Sequence, residues 1–420
     1  MLNYSVLPDM IALAALVFVF RSMLRRHAGE QLERWLVGWS LMLAYFFVRL
    51  VDVPTAVHAR SVHTLAELLV ELAAISFLRA CSRFDVLSEQ PVAAMVWVTG
   101  MLAYTACVNY AVARWYAYTV TMILIAAGAA VLHLRTRAHS KTSQRIFSVG
   151  ASYVLVAALI LLLRLHHPEY GAEAIMVWLY MMCGIRFAQH WPRKTPGMVV
   201  TVFGFFAMAA LHPLVWMLGA LVPGLQLEQE VWNIPKFIAA VGVLLTFLEQ
   251  QIDRAEHLAL HDPLTGLPNR RLFEDRIEKT LQRAERNRTL AAVLLVDMDE
   301  FKKINDTYGH AIGDAVLCAA SERMLGRLRK ADTVARTGGD EFTILLSELT
   351  EPQHAAHLAR TIAESLQQPL TVGDVTLRAS GSIGVAVYPN DAQNADALCA
   401  LADAGMYAAK RRVRDTTPAL

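Results

Sequence analysis

Apolar positions in this 420-residue chain follow two regimes. Over the first 250 residues they form long runs near 5–20, 35–53, 62–80, 91–113, 115–134, 146–165, 173–190, 197–222 and 231–249. A helix needs roughly 20 mostly apolar residues to cross a bilayer. The pattern therefore predicts an integral membrane domain over 1–249 with about nine transmembrane helices. Beyond residue 250 the runs shorten and alternate between helical and strand-like periods. Helices are expected over 270–287 behind the N-cap-like Asn269, over 313–329, 354–368 and 395–413. Strands are expected over 291–299, on both sides of the turn within 334–347, and in a hairpin-like stretch over 371–388. That order predicts an α/β or α+β sheet with helices packed on it.

Between the two regimes, residues 244–260 contain no Pro or Gly and read as a helical linker. Leu245, Leu248, Ile252, Ala255 and Ala259 follow the 3-4 spacing of a two-helix seam, and an ordinary amphipathic linker has the same pattern. The first run follows MLNYSVLPD, which lacks a basic n-region, so a retained helix is expected and not a cleaved signal peptide.

Composition sharpens this division. The chain is 55% hydrophobic and 18% charged, too apolar for a wholly soluble protein. Residues 1–250 hold 18 Lys+Arg against 13 Asp+Glu, while residues 251–420 hold 21 against 24. The slightly acidic second half gives no basic surface for nucleic acid. Thirteen basic residues fall in one set of inter-run loops (Arg21, Arg25, Arg26, Arg34, Arg79, Arg83, Arg135, Arg137, Lys141, Arg145, Arg186, Arg193 and Lys194), and only Arg49, Arg60, Arg114 and Arg164 fall in the other. The positive-inside rule then puts the first set and everything after about Glu249 in the cytoplasm, and nine spans put the N-terminus outside. The five cysteines are dispersed and suggest neither a zinc cluster nor a disulfide framework.

Glu67 and Glu71, spaced i, i+4, share a face of an apolar run, and Asn109, His212 and Lys236 also lie deep. Such groups pair across a bundle, snorkel to an interface, or line a ligand or ion pocket. In the second half, the buried strand-like run Ala291–Val296 stops at Asp297-Met298-Asp299. Carboxylates at a strand exit suit hard divalent ions, which take one or two carboxylates and complete their shell with phosphates and water. Asp299 is also well placed to cap the turn that follows, and for it the structural role is the favoured one. Gly338-Gly339 suggests a hairpin turn with positive φ, followed at once by Asp340 and Glu341. Two carboxylate sites on one sheet have the chemistry of a two-metal centre for displacement at phosphorus.

Together these residues resemble the GGDEF family of diguanylate cyclases. R-T-G-G-D-E-F (Arg336 to Phe342) matches the signature, H-D-P-L-T-G-L-P-N-R-R (His261 to Arg271) the opening motif, V-D-M-D-E-F-K-K-I-N-D-T-Y-G-H-A-I-G-D (Val296 to Asp314) the metal and guanine motif, and Y-A-A-K (Tyr407 to Lys410) the closing helix. The resemblance covers about 258–415 and implies a GGDEF domain with a central, mostly antiparallel sheet flanked by helices. It implies condensation of two GTP into cyclic di-GMP with release of two pyrophosphates, by a homodimer in which each domain presents one GTP. Asp297, Asp340 and the Met298 backbone carbonyl would bind Mg²⁺, two ions per site, with Mn²⁺ as an alternative. Asp340 or Glu341 would help activate the attacking 3′-hydroxyl. Asn305 and Asp314 would hydrogen-bond guanine, and Lys302, Lys410 and Arg414 would hold phosphates. Arg329 and Asp332 match the family's R-x-x-D product-inhibition site, with Arg360 as a second contact; an exposed Arg and Asp at this spacing are also a common solvated pair.

Val413 and Asp415 depart from the Gly and Asn that often flank the phosphate-binding Arg. Because so little sequence follows, no phosphodiesterase domain is expected. The implied protein is a receptor in the bacterial cytoplasmic (inner) membrane, in contact with lipid, whose spans sense a signal. A non-catalytic module binding GTP or cyclic di-GMP is the alternative, and would be marked by losses in G-G-D-E-F or at the first Asp; both are intact.

Overall fold

The computed structural model describes residues 4–26, 29–51, 56–82, 90–135, 142–191, 194–222 and 229–416. The chain divides into two compact units, Met1–Gln250 and Gln251–Leu420.

Each apolar run of the first unit folds as a helix: α1 (Leu7–Arg26), α2 (Glu30–Leu50), α3 (Ala56–Ala80), α4 (Pro91–Asn109), α5 (Trp115–Arg135), α6 (Thr142–Arg164), α7 (Tyr170–His190), α8 (Pro196–Leu221) and α9 (Gln229–Leu260). Helix is the expected form, since every backbone N–H and C=O is then satisfied within its own segment. Among the described residues six helical stretches are long and apolar enough to cross a membrane: Tyr4–Arg25, His58–Ala80, Pro91–Asn109, Trp115–Leu132, Tyr170–His190 and Pro196–Val215. All six coincide with runs among the nine expected. Helix α2 carries Glu30, Glu33, Arg34 and Arg49, the described apolar stretch of α6 is the shorter Gly150–Arg164, and α9 mixes its apolar residues with Lys236 and a charged C-terminal half. The unit is centred on aromatic packing: Trp39 lies 4.6 Å from Phe77 and Trp35 lies 5.5 Å from Phe77, between ring centroids, with Phe187 and Phe205 also against Trp35.

The second unit runs α10 (Arg270–Asn287), β1 (Leu290–Met298), α11 (Phe301–Tyr308), α12 (His310–Leu325), β2 (Thr333–Arg336), β3 (Glu341–Leu349), α13 (Gln353–Leu366), β4 (Leu370–Val372), β5 (Val375–Leu377), β6 (Gly381–Tyr388) and α14 (Ala395–Thr416). Asn269 caps α10, its side chain accepting from the Leu272 N–H at 3.2 Å. The main sheet has the order β2-β3-β1-β6, every neighbour antiparallel. The 371–388 stretch is more than one hairpin: β4 and β5 pair as a separate ribbon, and β6 joins the main sheet beside β1.

Strand β1 is buried on both faces, so its apolar run is unbroken and its alternation assigns each residue to one of two cores. Ala292, Leu294, Val296 and Met298 join the core containing Val316 of α12 and Ile362 of α13. Ala291 and Val293 join the core containing Phe273 and Ile277 of α10 and Leu398 and Ala402 of α14. By the same alternation Asp297 points to the α14 side. Helix α14 can lie close to the sheet because β6 has Gly384 beneath it; a Cβ there would stand 1.9 Å from the Ala402 carbonyl oxygen and 2.3 Å from the Met406 nitrogen. Backbone does not yield as a side-chain end does, and overpacking costs about 1–3 kcal/mol. Gly384→Ala is thus expected to lower the melting temperature of the second unit by about 2–12 °C in scanning calorimetry of the full chain. An unchanged transition would show that α14 is not held by this contact.

Candidate active site

Asp297 is the next-to-last residue of β1 and is only 7% exposed. In the sheet it stands opposite Glu341 of β3 and Ser382 of β6. Met298 beside it is buried, and its N–H donates to the Asp340 carbonyl at 3.1 Å. Antiparallel pairing of β1 with β3 thus draws the G-G-D-E turn to the end of the central strand. Asp340 lies in that turn half-buried, and Glu341, the first residue of β3, is exposed.

Lys410 reaches this corner from α14 and donates to Asp297 Oδ1 at 2.5 Å. Burial raises the Asp297 carboxyl above its ordinary value; the Lys410 bond and charge pull it back, and the negative charges of Asp340 and Asp299 push it up again. The net direction is upward, so the fold pays to keep Asp297 ionised. Burial alone would lower Lys410, but its bond to Asp297 and the charges of Asp297, Asp340 and Asp299 outweigh that and hold it above the usual lysine value. Four charged groups therefore interact at the β1 exit.

Asp299 is occupied structurally, though by other partners than a helix cap would require. Its Oδ2 accepts from Ser380 Oγ and its Oδ1 from Ser382 Oγ, both at 2.7 Å, and its N–H donates to the Ser380 carbonyl at 2.9 Å. The turn it was expected to cap is instead helix α11, preceded by Glu300 at φ 53° with no side-chain cap. Neither Gly338 nor Gly339 adopts the positive φ expected of a tight hairpin. A Cβ at 338 would meet only the Glu341 side chain, whose Oε2 lies 2.6 Å away and can swing aside.

The turn is held from behind by two residues to which the sequence reading gave no role. The Arg336 Nη1 donates to Asp262 Oδ1 at 3.0 Å and Oδ2 at 3.2 Å, while its Nε and Nη2 donate to the Gly339 carbonyl at 3.1 and 2.6 Å. Asp262 also accepts from the Thr265 N–H at 2.8 Å and hydroxyl at 2.7 Å. Burial raises its carboxyl, but the Thr265 bonds and the Arg336 bond and charge outweigh burial and hold it below the usual carboxylate range. A guanidinium that binds a carboxylate and a carbonyl at once fixes the turn geometrically. The signal in the sequence was an Asp in the opening motif and an Arg just ahead of the Gly pair.

The remaining expected residues fall into separate groups. Lys302 and Asn305 lie on α11, exposed and half-buried, and Asp314 lies exposed on α12. Arg414 falls in α14, outside the residues whose side chains are described. Arg329 and Asp332 lie in the loop between α12 and β2, where the Asp332 carboxylate accepts from the Arg329 N–H at 3.0 Å and the Ser347 N–H at 3.2 Å. Ser347 is six residues along β3 from Glu341, about 20 Å of strand, so this pair is well removed from the carboxylate corner. Arg360 is exposed on α13.

The family model described as "Diguanylate cyclase, GGDEF domain" matches residues 259–416. The crystal structure of the GGDEF domain of TpbB from Pseudomonas aeruginosa is 46% identical, covering 35% of this chain and 92% of that one, with a TM-score of 0.35. The chain belongs to the GGDEF family. Among curated GGDEF relatives, diguanylate cyclase TpbB of Pseudomonas aeruginosa is 46% identical over 159 residues, 38% of this chain and 37% of TpbB. The bifunctional diguanylate cyclase/cyclic di-GMP phosphodiesterase MucR of the same species is 45% identical over 177 residues, 42% of this chain and 26% of MucR. The chain thus spans between a quarter and two fifths of the length of these relatives, and the likeness lies in the GGDEF unit.

A carboxyl group whose pKa is raised by the fold contributes stability that is fully present below the ordinary carboxylate range and is lost as pH rises through the folded value. Asp297→Asn should therefore melt at the same temperature as the wild type or a few degrees higher at neutral pH, with the gain vanishing in acid. Calorimetry of the full chain across that range checks this, and a variant that loses stability as pH rises would reverse the sign.

Proposed function

We propose that the chain is a membrane-bound diguanylate cyclase. In the proposed reaction the 3′-hydroxyl of each GTP attacks the α-phosphorus of the other, two P–O bonds form, and two pyrophosphates leave with cyclic di-GMP as product. The observation that carries this reading is the convergence of Asp297, Asp340 and Lys410 at the exit of β1, in a unit 46% identical to a diguanylate cyclase.

The donor set fits a hard divalent ion. Two carboxylates and a backbone carbonyl are hard oxygen donors, and Mg²⁺ completes its shell with substrate phosphates and water. Asp297, Asp340 and the Met298 carbonyl would hold it, two ions per site, with Mn²⁺ as an alternative. Bound there, the ion would neutralise phosphate charge during displacement. Lys410, together with Lys302 and Arg414, would hold phosphate oxygens. Asn305 and Asp314 would select guanine, because a carboxylate accepts from its N1 and N2 donors. Asp340 or Glu341 would orient and help deprotonate the 3′-hydroxyl.

One unit presents one GTP, so the reaction calls for two copies, and orientation of the two is a proximity effect. The 3-4 spaced Leu245, Leu248 and Ile252 on α9 are exposed and support a homodimer seam there, with 244–260 as its helical linker. Arg329 and Asp332, with Arg360 as a second contact, would bind product and inhibit; the Asp332 bonds that fix their loop support a preformed site. Basic loops and the location of GTP support a GGDEF unit on the cytoplasmic side of the bacterial inner membrane. The N-terminus lies outside if all nine helices cross. Signal input would come through the membrane unit. The non-catalytic reading has no support in the signature, where Asp297, Gly338, Gly339, Asp340 and Glu341 are all present.

In full-length protein given GTP and Mg²⁺, Asp340→Ala should lower cyclic di-GMP formation, followed by mass and by pyrophosphate release, at least about 100-fold while leaving membrane insertion unchanged. Arg329→Ala should relieve the plateau at high product. Cyclase activity retained without Asp340 would overturn the site assignment.

A further inference from the structure

The membrane unit contains a cavity of about 230 Å³ lined by α2, α3, α4, α7, α8 and α9. Its lining includes the acidic Glu67, Glu71 and Glu173 and the basic Arg49 and Lys236. These groups do not all need an occupant. Glu67 Oε2 accepts from Asn109 Nδ2 at 2.7 Å and its Oε1 lies 3.4 Å from His63 Nδ1. Lys236 donates to Asn233 Oδ1 at 2.9 Å and lies over the rings of Tyr45 and Phe46.

Glu71 is different. It is 1% exposed and neither carboxylate oxygen makes a hydrogen bond. The Tyr180 hydroxyl, on a residue 2% exposed and lining the same cavity, also lacks a partner. A buried polar group without a partner costs about 1–3 kcal/mol, more when charged, and ionisable groups at membrane depth are costly. Two such groups facing one cavity mark a place where a ligand supplies the complement. Glu71 as a carboxylate accepts only, so the complement must donate. With three acidic side chains on the lining against Arg49 and Lys236, and His63 already beside Glu67, the donor that also balances the lining is positively charged.

We propose that this cavity binds a small primary ammonium group, donating to Glu71 and Tyr180, with Glu173 balancing its charge. The volume is below the 300–1,000 Å³ typical of drug-sized pockets and suits a group of a few heavy atoms. The ammonium belongs to a free amine or to the headgroup of an aminophospholipid; both present the same donor. The proposal concerns binding in the membrane unit and does not rest on the cyclase reading.

The test uses the full chain in nanodiscs of phosphatidylcholine, titrated by calorimetry with ethylamine and ethanolamine. Tetramethylammonium, a cation without N–H donors, and acetate are the controls. Saturable amine binding at least tenfold tighter than either control is expected, with Glu71→Gln weakening it tenfold or more. Nanodiscs containing phosphatidylethanolamine separate the sources: amine binding suppressed there assigns the site to the lipid headgroup, and amine binding retained assigns it to a free amine. Ala172→Leu, which adds bulk to the cavity lining and leaves every charged residue in place, should abolish binding and serves if Glu71→Gln does not fold. No saturable amine binding, as for a cavity holding water only, would overturn the proposal. So would binding that is equal for acetate, or that survives both substitutions.

Discussion

The GGDEF unit depends on a carboxylate that folding alone would not choose. Asp297 continues a strand buried on both faces, where water is excluded and two other carboxylates lie near enough to oppose its charge. A hydrophobic residue would end β1 at lower cost. The position is tolerated because α14 delivers Lys410 to the same oxygen, and α14 reaches the sheet because β6 leaves room at Gly384. The contacts that hold the helix to the sheet thus also set the charge balance of the site. A carboxylate opposed by its surroundings in this way marks a candidate functional site.

The second constraint is the turn. Asp340 is useful only where β3 begins opposite the end of β1, and the pairing register sets that position. The register alone leaves a Gly-rich turn free to wander. Arg336, anchored on Asp262 and holding the Gly339 carbonyl, removes that freedom from the protein side. Preorganisation of this kind lets dipoles and charges act at a developing phosphate charge without reorganising at the moment of reaction.

Much of this was legible in the sequence, and the exceptions have physical causes. Strand β1 and its acidic end were readable because burial on both faces leaves an unbroken apolar run that stops abruptly. The cap at Asn269 followed from residue type and position alone. The partners of Asp299 were not readable, because Ser380 and Ser382 are some eighty residues away and meet it only through β6 pairing. The role of Gly384 was missed for a related reason: glycine in a sequence announces freedom of φ, while here the structure uses its missing side chain. In the membrane unit hydropathy located the nine described helices, and among the described residues six stretches are long and apolar enough to span. It also treated Glu67 and Glu71 alike. One is partnered across the bundle by Asn109, and the other faces a cavity without a hydrogen bond.

The proposed cyclase site requires Asp297 to hold a divalent cation together with nucleotide. Electron paramagnetic resonance of Mn²⁺, titrated into the full chain with a non-hydrolysable GTP analogue, measures that directly. Mn²⁺ uptake that requires the nucleotide and is lost in Asp297→Asn is the predicted result. Uptake that is the same in the variant, or absent from the wild type, would contradict it.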